Sequence, residues 1–365
     1  MNNELNAIAS NFNIWEHIEP YGDGHINETF EALPCAGRFI LQKINSDVFE
    51  KPEEVMENIS AVTEHLRKKI IKEGGDPLKE TLTIVKTLDG KSFYKTDDGR
   101  YYRMYIFIEG ARTYNVVEKP EHFYNAAKAF GRFQKLLADF PADKLHETIK
   151  DFHNTPKRFA DFEKAITNNI SGRADNVKKE IEFALKRKNI ASVITDAIKD
   201  GSIPLRVTHN DTKYNNIMID DLTGNAVAVI DLDTVMPGSL LYDYGDSLRF
   251  GTNPVSEDEK NLDLVYCDLN LFECFTRGFI EEMADTLTPD EIRLMPLSAR
   301  LMTLECGIRF LGDYINGDVY FRTAYSEHNL DRARTQFKLV YDMEQKQSEM
   351  DKIVSDIIGK LSENN

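Results

Sequence analysis

Apolar positions in the first third of the chain follow a strand-like rhythm. The runs at 38–44 (RFILQKI) and 81–86 (TLTIVK) are rich in apolar and β-branched residues. Asp89-Gly90 and Asp98-Gly99 punctuate the stretch through Phe93 and 101–108 as hairpin turns, which predicts an antiparallel sheet. Between its first two strands, Val55, Ile59, Val62 and Leu66 fall at helical spacing, and Gly74-Gly75 follows them. One helix from Pro52 to Lys72 is predicted there. After Gly110 the period changes. Pro120 stands where a first helical turn tolerates it, and Phe123, Ala126, Ala127, Phe130, Phe133, Leu137 and Phe140 mark a strongly amphipathic helix. Helical spacing then continues to the C-terminus with one break at 205–231, where apolar runs at 205–208 and 226–230 flank a polar loop and a short strand at 217–219.

The pattern predicts an α+β chain with no internal repeat. A small antiparallel-sheet lobe with one inserted helix occupies residues 1–108, and a larger, mainly helical lobe occupies 109–365. The hinge falls near 105–110, where a nucleotide cleft is expected, with Phe107 and Ile108 as nucleotide contacts. A length of 365 residues suits two such bodies better than one core. A net charge of −16 disfavours nucleic acid and anionic membrane as partners, so any phosphate ligand must be held by local cations and metal. Four cysteines without a C-x-x-C pair read as free thiols in a reducing compartment. The first fourteen residues lack a basic n-region and an apolar h-region, and no run approaches the roughly 20 apolar residues of a membrane span. A cytoplasmic protein is the expectation.

The chemistry concentrates in two strips, VTHNDTKYNN (207–216) and VIDLD (229–233). Phosphoryl transfer needs an oriented hydroxyl, a carboxylate to take its proton, and metal ligands beside the phosphates. His209, Asp211 and Asn216 fit the kinase catalytic loop H-x-D-x-x-x-x-N without a gap. Asp211 is then the base, and Asn216 a Mg2+ ligand through its amide oxygen. Asp231 ends an apolar strand fifteen residues later and supplies the hard carboxylate that Mg2+ prefers. Lys213, two residues past Asp211, is placed to offset charge on the transferring group. His209 reads as architectural. A polar turn and an ordinary cap are the bland readings of the two strips, and each strip alone is only a hypothesis. Asp231 and Asp233 also match the D-x-D metal motif of nucleotide-sugar glycosyltransferases, which predicts a long parallel sheet and leaves 209–216 unexplained.

Near the N-terminus, YGDGHINETF (21–30) is a glycine turn feeding a strand. It is a plain hairpin by itself, and in a kinase it is the phosphate-covering loop, with Gly22 and Gly24 against the nucleotide. The next strand offers Lys43 as a phosphate-directed cation, with Glu53, Glu54 or Glu57 as its partner from the inserted helix. Alternation puts Lys43 on the same face as Leu41, so Gln42 is the competing inward residue.

Taken with ECGIRFLGDYINGDVYF, HNLDRARTQ, EPYGDGHINETF and FILQKIN, the segment 205–250 resembles the bacterial N-acetylhexosamine 1-kinases, within the aminoglycoside-phosphotransferase-like kinases of protein-kinase-like fold. The resemblance spans nearly the whole chain. It implies ATP- and Mg2+-dependent phosphorylation of the anomeric hydroxyl of N-acetylglucosamine or N-acetylgalactosamine, with Asp211 as base, Asn216 and Asp231 on the metal, and His25, Phe250, Arg309 and Tyr320 at or near the sugar. It also implies that Asp246 supports the catalytic loop. The family does not keep a lysine uniformly at the place of Lys43. Without the resemblance, Arg309 reads as an i,i+4 ion-pair partner of Asp313, Phe250 and Tyr320 as core aromatics, and His25 as a turn residue. Competing functions are a kinase for another hexose, choline, homoserine or an aminoglycoside, and a nucleotide sensor on a dead kinase fold. Arg309 and Arg322 favour a neutral, hydroxyl-rich acceptor over a cationic one. The three polar residues of the loop and metal strips are all present, which argues against the sensor, and no A-P-E strip follows Asp231 as a protein kinase requires.

Overall fold

The computed structural model describes residues 2–14, 17–22, 26–34, 37–114 and 119–364. In chain order they form α1 (Asn2–Ala9), β1 (His17–Pro20), β2 (Glu28–Leu33), β3 (Phe39–Ile44), α2 (Pro52–Lys72), α3 (Pro77–Glu80), β4 (Ile84–Val85), β5 (Tyr94–Lys95), β6 (Tyr101–Ile106) and β7 (Ala111–Arg112). There follow α4 (Pro120–Leu136), α5 (Thr155–Asn168), α6 (Lys178–Leu185), α7 (Val193–Asp200), β8 (Arg206–Thr208), β9 (Ile217–Asp220), β10 (Ala226–Val229) and β11 (Met236–Gly238). Helices α8 (Leu240–Gly251), α9 (Leu269–Met283), α10 (Pro289–Asn316), α11 (His328–Gln345) and α12 (Gln347–Asn364) complete the chain. Two compact units result. The first comprises residues 1–114, 136–150 and 216–237, and the second 115–135, 151–215 and 238–365.

In the first unit the strands run in the order β1-β2-β3-β6-β4 with β5 also on β6, every pair antiparallel. The Asp98-Gly99 turn joins β5 to β6. Gly99 takes φ 87°, a left-handed conformation that favours glycine, and Thr96 and Arg100 close the turn. Strand alternation sends Leu41, Tyr102 and Met104 to one face, where Leu5, Ile8 and Phe12 of the N-terminal segment cover them. Gln42 and Arg103, directly opposite each other in the register, point to the other face. The expected strand at 81–86 shortens to Ile84–Val85. Asp76 caps the turn Pro77–Glu80 by accepting from the Leu78 N–H at 2.9 Å, and Thr81 ends that turn. Helix α2 covers the predicted span residue for residue. Its Asn58 donates to the carbonyls of His146 (2.8 Å) and Val235 (2.9 Å), which binds the two later segments into this unit. A second sheet, β10-β9-β7, packs Met218 and Ala228 against Ile108 and Ala111.

The second unit is helical around α10, which is buried on nearly all sides and starts with a Thr288/Glu291 capping box. Its Leu304, Ile308, Leu311 and Ile315 pack with Phe159 and Phe162 of α5 and Phe337 of α11. Gly245 lets α8 approach α10 closely, since a Cβ there would lie 2.5 Å from the Ser298 carbonyl oxygen. Among the described residues no helix is long and apolar enough to cross a membrane.

Candidate active site

In the second unit, β8 delivers the loop that starts at His209. The loop is held from below by α8. The buried Asp243 carboxylate accepts the backbone N–H of His209 (2.9 Å) and Asn210 (2.7 Å) and the side-chain amide of Gln134 (2.6 Å). Thr212 donates to the Asp243 carbonyl (2.8 Å), and Ser247 donates to that of Thr212 (3.2 Å). Burial pushes the Asp243 carboxyl above its ordinary range, against the pull of these donors. His209 is fully buried, edge-on to Phe130 and Phe133 at 5.9 Å each, and its Nδ1 accepts the Asp211 N–H at 3.2 Å. That bond shapes the loop from inside the unit. Asn210 is left-handed at φ 65°, and this turn presents the partly exposed Asp211 carboxylate, 2.8 Å from Lys213 Nζ. Burial works against the charge of Lys213, yet Asp211 raises its affinity for the proton above the ordinary value.

Asp243 is the carboxylate that hydrogen-bonds the loop, while Asp246 acts on it through its charge near Lys213. Asp246 pairs with Arg249 (2.8 Å), which also reaches Glu257 (2.7 Å). Burial opposes ionisation of Asp246, but Arg249 holds its carboxyl below the usual range. The two aspartates stand three residues apart in YDYGD, so the sequence marked the strip without separating the roles.

In the first unit, the hairpin β9–β10 pairs Ile217 with Val229, and the Ile230 N–H donates to the Asn216 carbonyl at 2.9 Å. Both proposed metal-ligating residues therefore stand at one end of one hairpin. Asn216 is buried, while Asp231 is exposed in a left-handed turn with φ 59° and ψ 59°. An amide oxygen and a carboxylate are the hard donors that suit Mg2+, which keeps several waters and takes few protein ligands. The residues fit that ion. Asp233 does not share the site: its side chain, 4% exposed, contacts Arg103 Nη1 at 2.5 Å and accepts from the Asn27 amide at 2.6 Å. That use of Asp233 and the antiparallel sheets remove both supports of the D-x-D glycosyltransferase reading.

Lys43 lies on the α1-facing side of β3 and forms a cross-strand ion pair with Glu28. The three glutamates considered for it are engaged elsewhere: Glu53 with the Tyr101 hydroxyl, Glu54 with Lys51, and Glu57 with His146. The cation on the opposite face is Arg103, which sequence reasoning missed. It donates through Nε (3.0 Å) and Nη2 (2.8 Å) to the Gln42 side-chain oxygen. The only signal was the Gln42 alternation. Gly22 has φ 70° in its turn, whereas Gly24 and His25 lie outside the described residues. Phe107 is stacked under the Arg38 guanidinium (3.7 Å) with Tyr21 edge-on (5.8 Å), and Ile108 is buried in the β9–β10 cluster.

Of the four proposed acceptor contacts, Arg309 and Tyr320 line a cavity of about 180 Å3 in the second unit, with Arg158, Asp161, Asp313 and Phe321 among its other walls; Phe250 is not in that lining. Asp313 is not the ion-pair partner of Arg309. It accepts the backbone N–H groups of Val319 (3.0 Å), Tyr320 (2.8 Å) and Phe321 (2.9 Å), and so builds the loop that carries Tyr320. The Arg309 guanidinium instead lies near the rings of Phe152 (5.8 Å), Tyr320 (5.9 Å) and Phe321 (5.4 Å). Tyr320 is 68% exposed and Phe250 38%, so neither is a core aromatic. Burial, with Arg309 nearby, lowers the proton affinity of Arg158. A larger hollow of about 560 Å3 between α5 and α6 has none of the candidate residues in its lining.

The fold is that of kinase-like phosphotransferases. Spectinomycin phosphotransferase APH(9)-Ia, solved with ADP and spectinomycin, matches 94% of this chain and 99% of its own at a TM-score of 0.59 and 12% identity. The microcompartment-associated aminopropanol kinase matches 96% and 98% at 0.60 and 14%. Choline kinase from Cryptosporidium parvum Iowa II matches 95% and 92% at 0.55 and 14%. At such identities the likeness shows the fold. The model of the phosphotransferase enzyme family, APH, matches residues 17–270, and the chain belongs to that family.

Proposed function

We propose that this phosphotransferase is an ATP- and Mg2+-dependent kinase acting on the anomeric hydroxyl of an N-acetylhexosamine. The observation that carries the reading is the loop at 209–215, strapped by Asp243 so that Asp211 is presented on a rigid turn. Asp211 accepts the proton of the acceptor hydroxyl as its oxygen bonds to the γ-phosphorus and the bond to ADP breaks. Lys213 offsets charge on the transferring group. Asn216 and Asp231 would hold the metal, which when bound neutralises charge on the β- and γ-phosphates. His25, Phe250, Arg309 and Tyr320 are proposed at the sugar, and Gly22, Gly24, Phe107 and Ile108 at the nucleotide. Lys43, in its ion pair with Glu28, is the weakest member of that nucleotide set. The 180 Å3 cavity sets Arg158 and Arg309 beside Asp161 and Asp313, so its lining is charge-balanced, which supports a neutral, hydroxyl-rich acceptor over choline or an aminoglycoside, whose positive charge calls for an acidic pocket. Free Cys267, Cys274 and Cys306 support a reducing compartment such as the cytoplasm.

The test is incubation with MgATP and a panel of free hexoses, N-acetylhexosamines, choline and homoserine, with the product read by NMR. A coupling between phosphorus and the anomeric proton of an N-acetylhexosamine is the expected result. Phosphorylation of another hydroxyl or another acceptor overturns the sugar assignment and leaves the kinase class standing.

A further inference from the structure

The buried group Gln42–Arg103–Asp233–Asn27 in the first unit has no part in the chemistry above. Arg103 is the largest fully buried side chain among the described residues, at 1% exposure. A guanidinium is costly to remove from water, so a fully buried one has to be matched closely by its surroundings. Its match is asymmetric. Nε and Nη2 converge on one neutral oxygen, that of Gln42, while Nη1 contacts Asp233 Oδ1 at 2.5 Å without the alignment of a hydrogen bond. The other Asp233 oxygen accepts from Asn27 at 2.6 Å, and the Asn27 carbonyl oxygen accepts the Asn45 N–H at 3.0 Å. The main chain around Asp233 is pinned as well. Thr148 donates to the Asp233 carbonyl at 3.4 Å, and Asn58 of α2 donates to the Val235 carbonyl at 2.9 Å. Every anchor converges on the turn that begins at Asp231, which is itself left-handed and exposed.

The geometry points to Arg103 as a positioning residue: through Asp233 it fixes the Asp231 turn in the conformation that ligates a divalent cation. In kinases of this fold a β3 lysine paired with a helix glutamate joins the sheet to the phosphate site. Here the corresponding face of β3 carries Gln42, and the sheet is coupled to the metal turn by an arginine from β6 and an aspartate two residues past the ligand. Asn27, at the foot of β2 just beyond the glycine turn, ties the same carboxylate to the segment proposed to cover phosphate. The inference rests on Asp231 being a metal ligand.

The test uses Mn2+ as the probe, with its affinity for the full-length protein–ADP complex read by electron paramagnetic resonance. Arg103→Met is expected to weaken Mn2+ binding about 10- to 100-fold, the usual effect of removing a partner behind a metal ligand. Metal-free ADP affinity should stay the same, and Arg103→Lys should recover part of the loss. Should Arg103→Met fail to fold, Arg103→Met/Asp233→Leu replaces the ion pair by an apolar one, a change that cores tolerate; it should fold and show the same weakened metal binding. Unchanged Mn2+ affinity in either folded variant overturns the positioning role. Asp231→Ala separates the two claims. If it abolishes Mn2+ binding while the Arg103 variants leave it intact, only the positioning role fails. If it too leaves Mn2+ binding intact, both fail.

Discussion

At Asp211 the question is whether one carboxylate takes the acceptor proton. Asp211→Asn keeps the shape of the side chain and removes the base. Turnover should fall by about 10²-fold or more while nucleotide affinity measured by calorimetry is retained. Full turnover in the variant would exclude the assignment. Arg309 poses a different question, because the residue expected to pair with it, Asp313, is engaged by three backbone N–H groups. Arg309→Ala should therefore cost little in thermal stability and lower kcat/KM for the sugar by about 1.5–3 kcal/mol, the range for a lost charged hydrogen bond. The KM for ATP should hardly change. Asp313→Ala should show the reverse balance, with a clear drop in Tm, since it orphans the N–H groups that shape the Tyr320 loop.

Among the elements, α8 is the one on which the loop proposed as catalytic depends. Asp243→Ala leaves the His209 and Asn210 amides and the Gln134 side chain without their acceptor in a buried place. At about 1–3 kcal/mol for each orphaned donor, unfolding should be easier by about 3 kcal/mol or more, visible in denaturant titration. A variant as stable as the parent would mean that the loop is held by its own turn geometry. The sequence identified α2 and α4 from their apolar stripes, and β8, β9 and β10 from short β-branched runs between polar stretches. It did not reveal α1 or β1, because four to eight residues without a strong period carry no local signal. It also reached the strip around Asp243 but not the residue, since two aspartates three apart on one helix differ only in what they meet across space.

For the molecule as a whole, acid stability should carry the mark of Asp220. This residue accepts from Lys79, from the Thr223 and Leu222 N–H groups and from the Thr223 hydroxyl, and Lys79 foremost holds its carboxyl well below the usual range. A depressed folded-state value means that the stabilisation is complete above the unfolded carboxylate value of about 4 and is lost as pH falls through the folded one. Asp220→Asn should thus lower Tm at neutral pH, and the gap from the parent should close on acidification below about pH 4. A gap that persists unchanged into acid would show that the contact acts through packing and not through charge.

Hydrophobic period and turn dipeptides were enough to determine an antiparallel sheet followed by helices, and two polar strips supplied the residues proposed for phosphoryl transfer. Those features are local: a face buries itself according to its own spacing, and a loop motif is contiguous in the chain. The assembly of units was not local. Segments 136–150 and 216–237 join the first unit through contacts such as Asn58 with His146 and Val235, across 88 and 177 residues of sequence. The same holds for Arg103. Alternation left Lys43 and Gln42 on opposite faces of β3 as competing inward residues, but only the pairing of β3 with β6 set an arginine opposite Gln42, and only the return of the chain at Asp233 supplied its counter-charge. Pairing between distant segments depends on which partners survive the cost of closing long loops, and that competition is decided in the folded molecule and not in any window of the sequence.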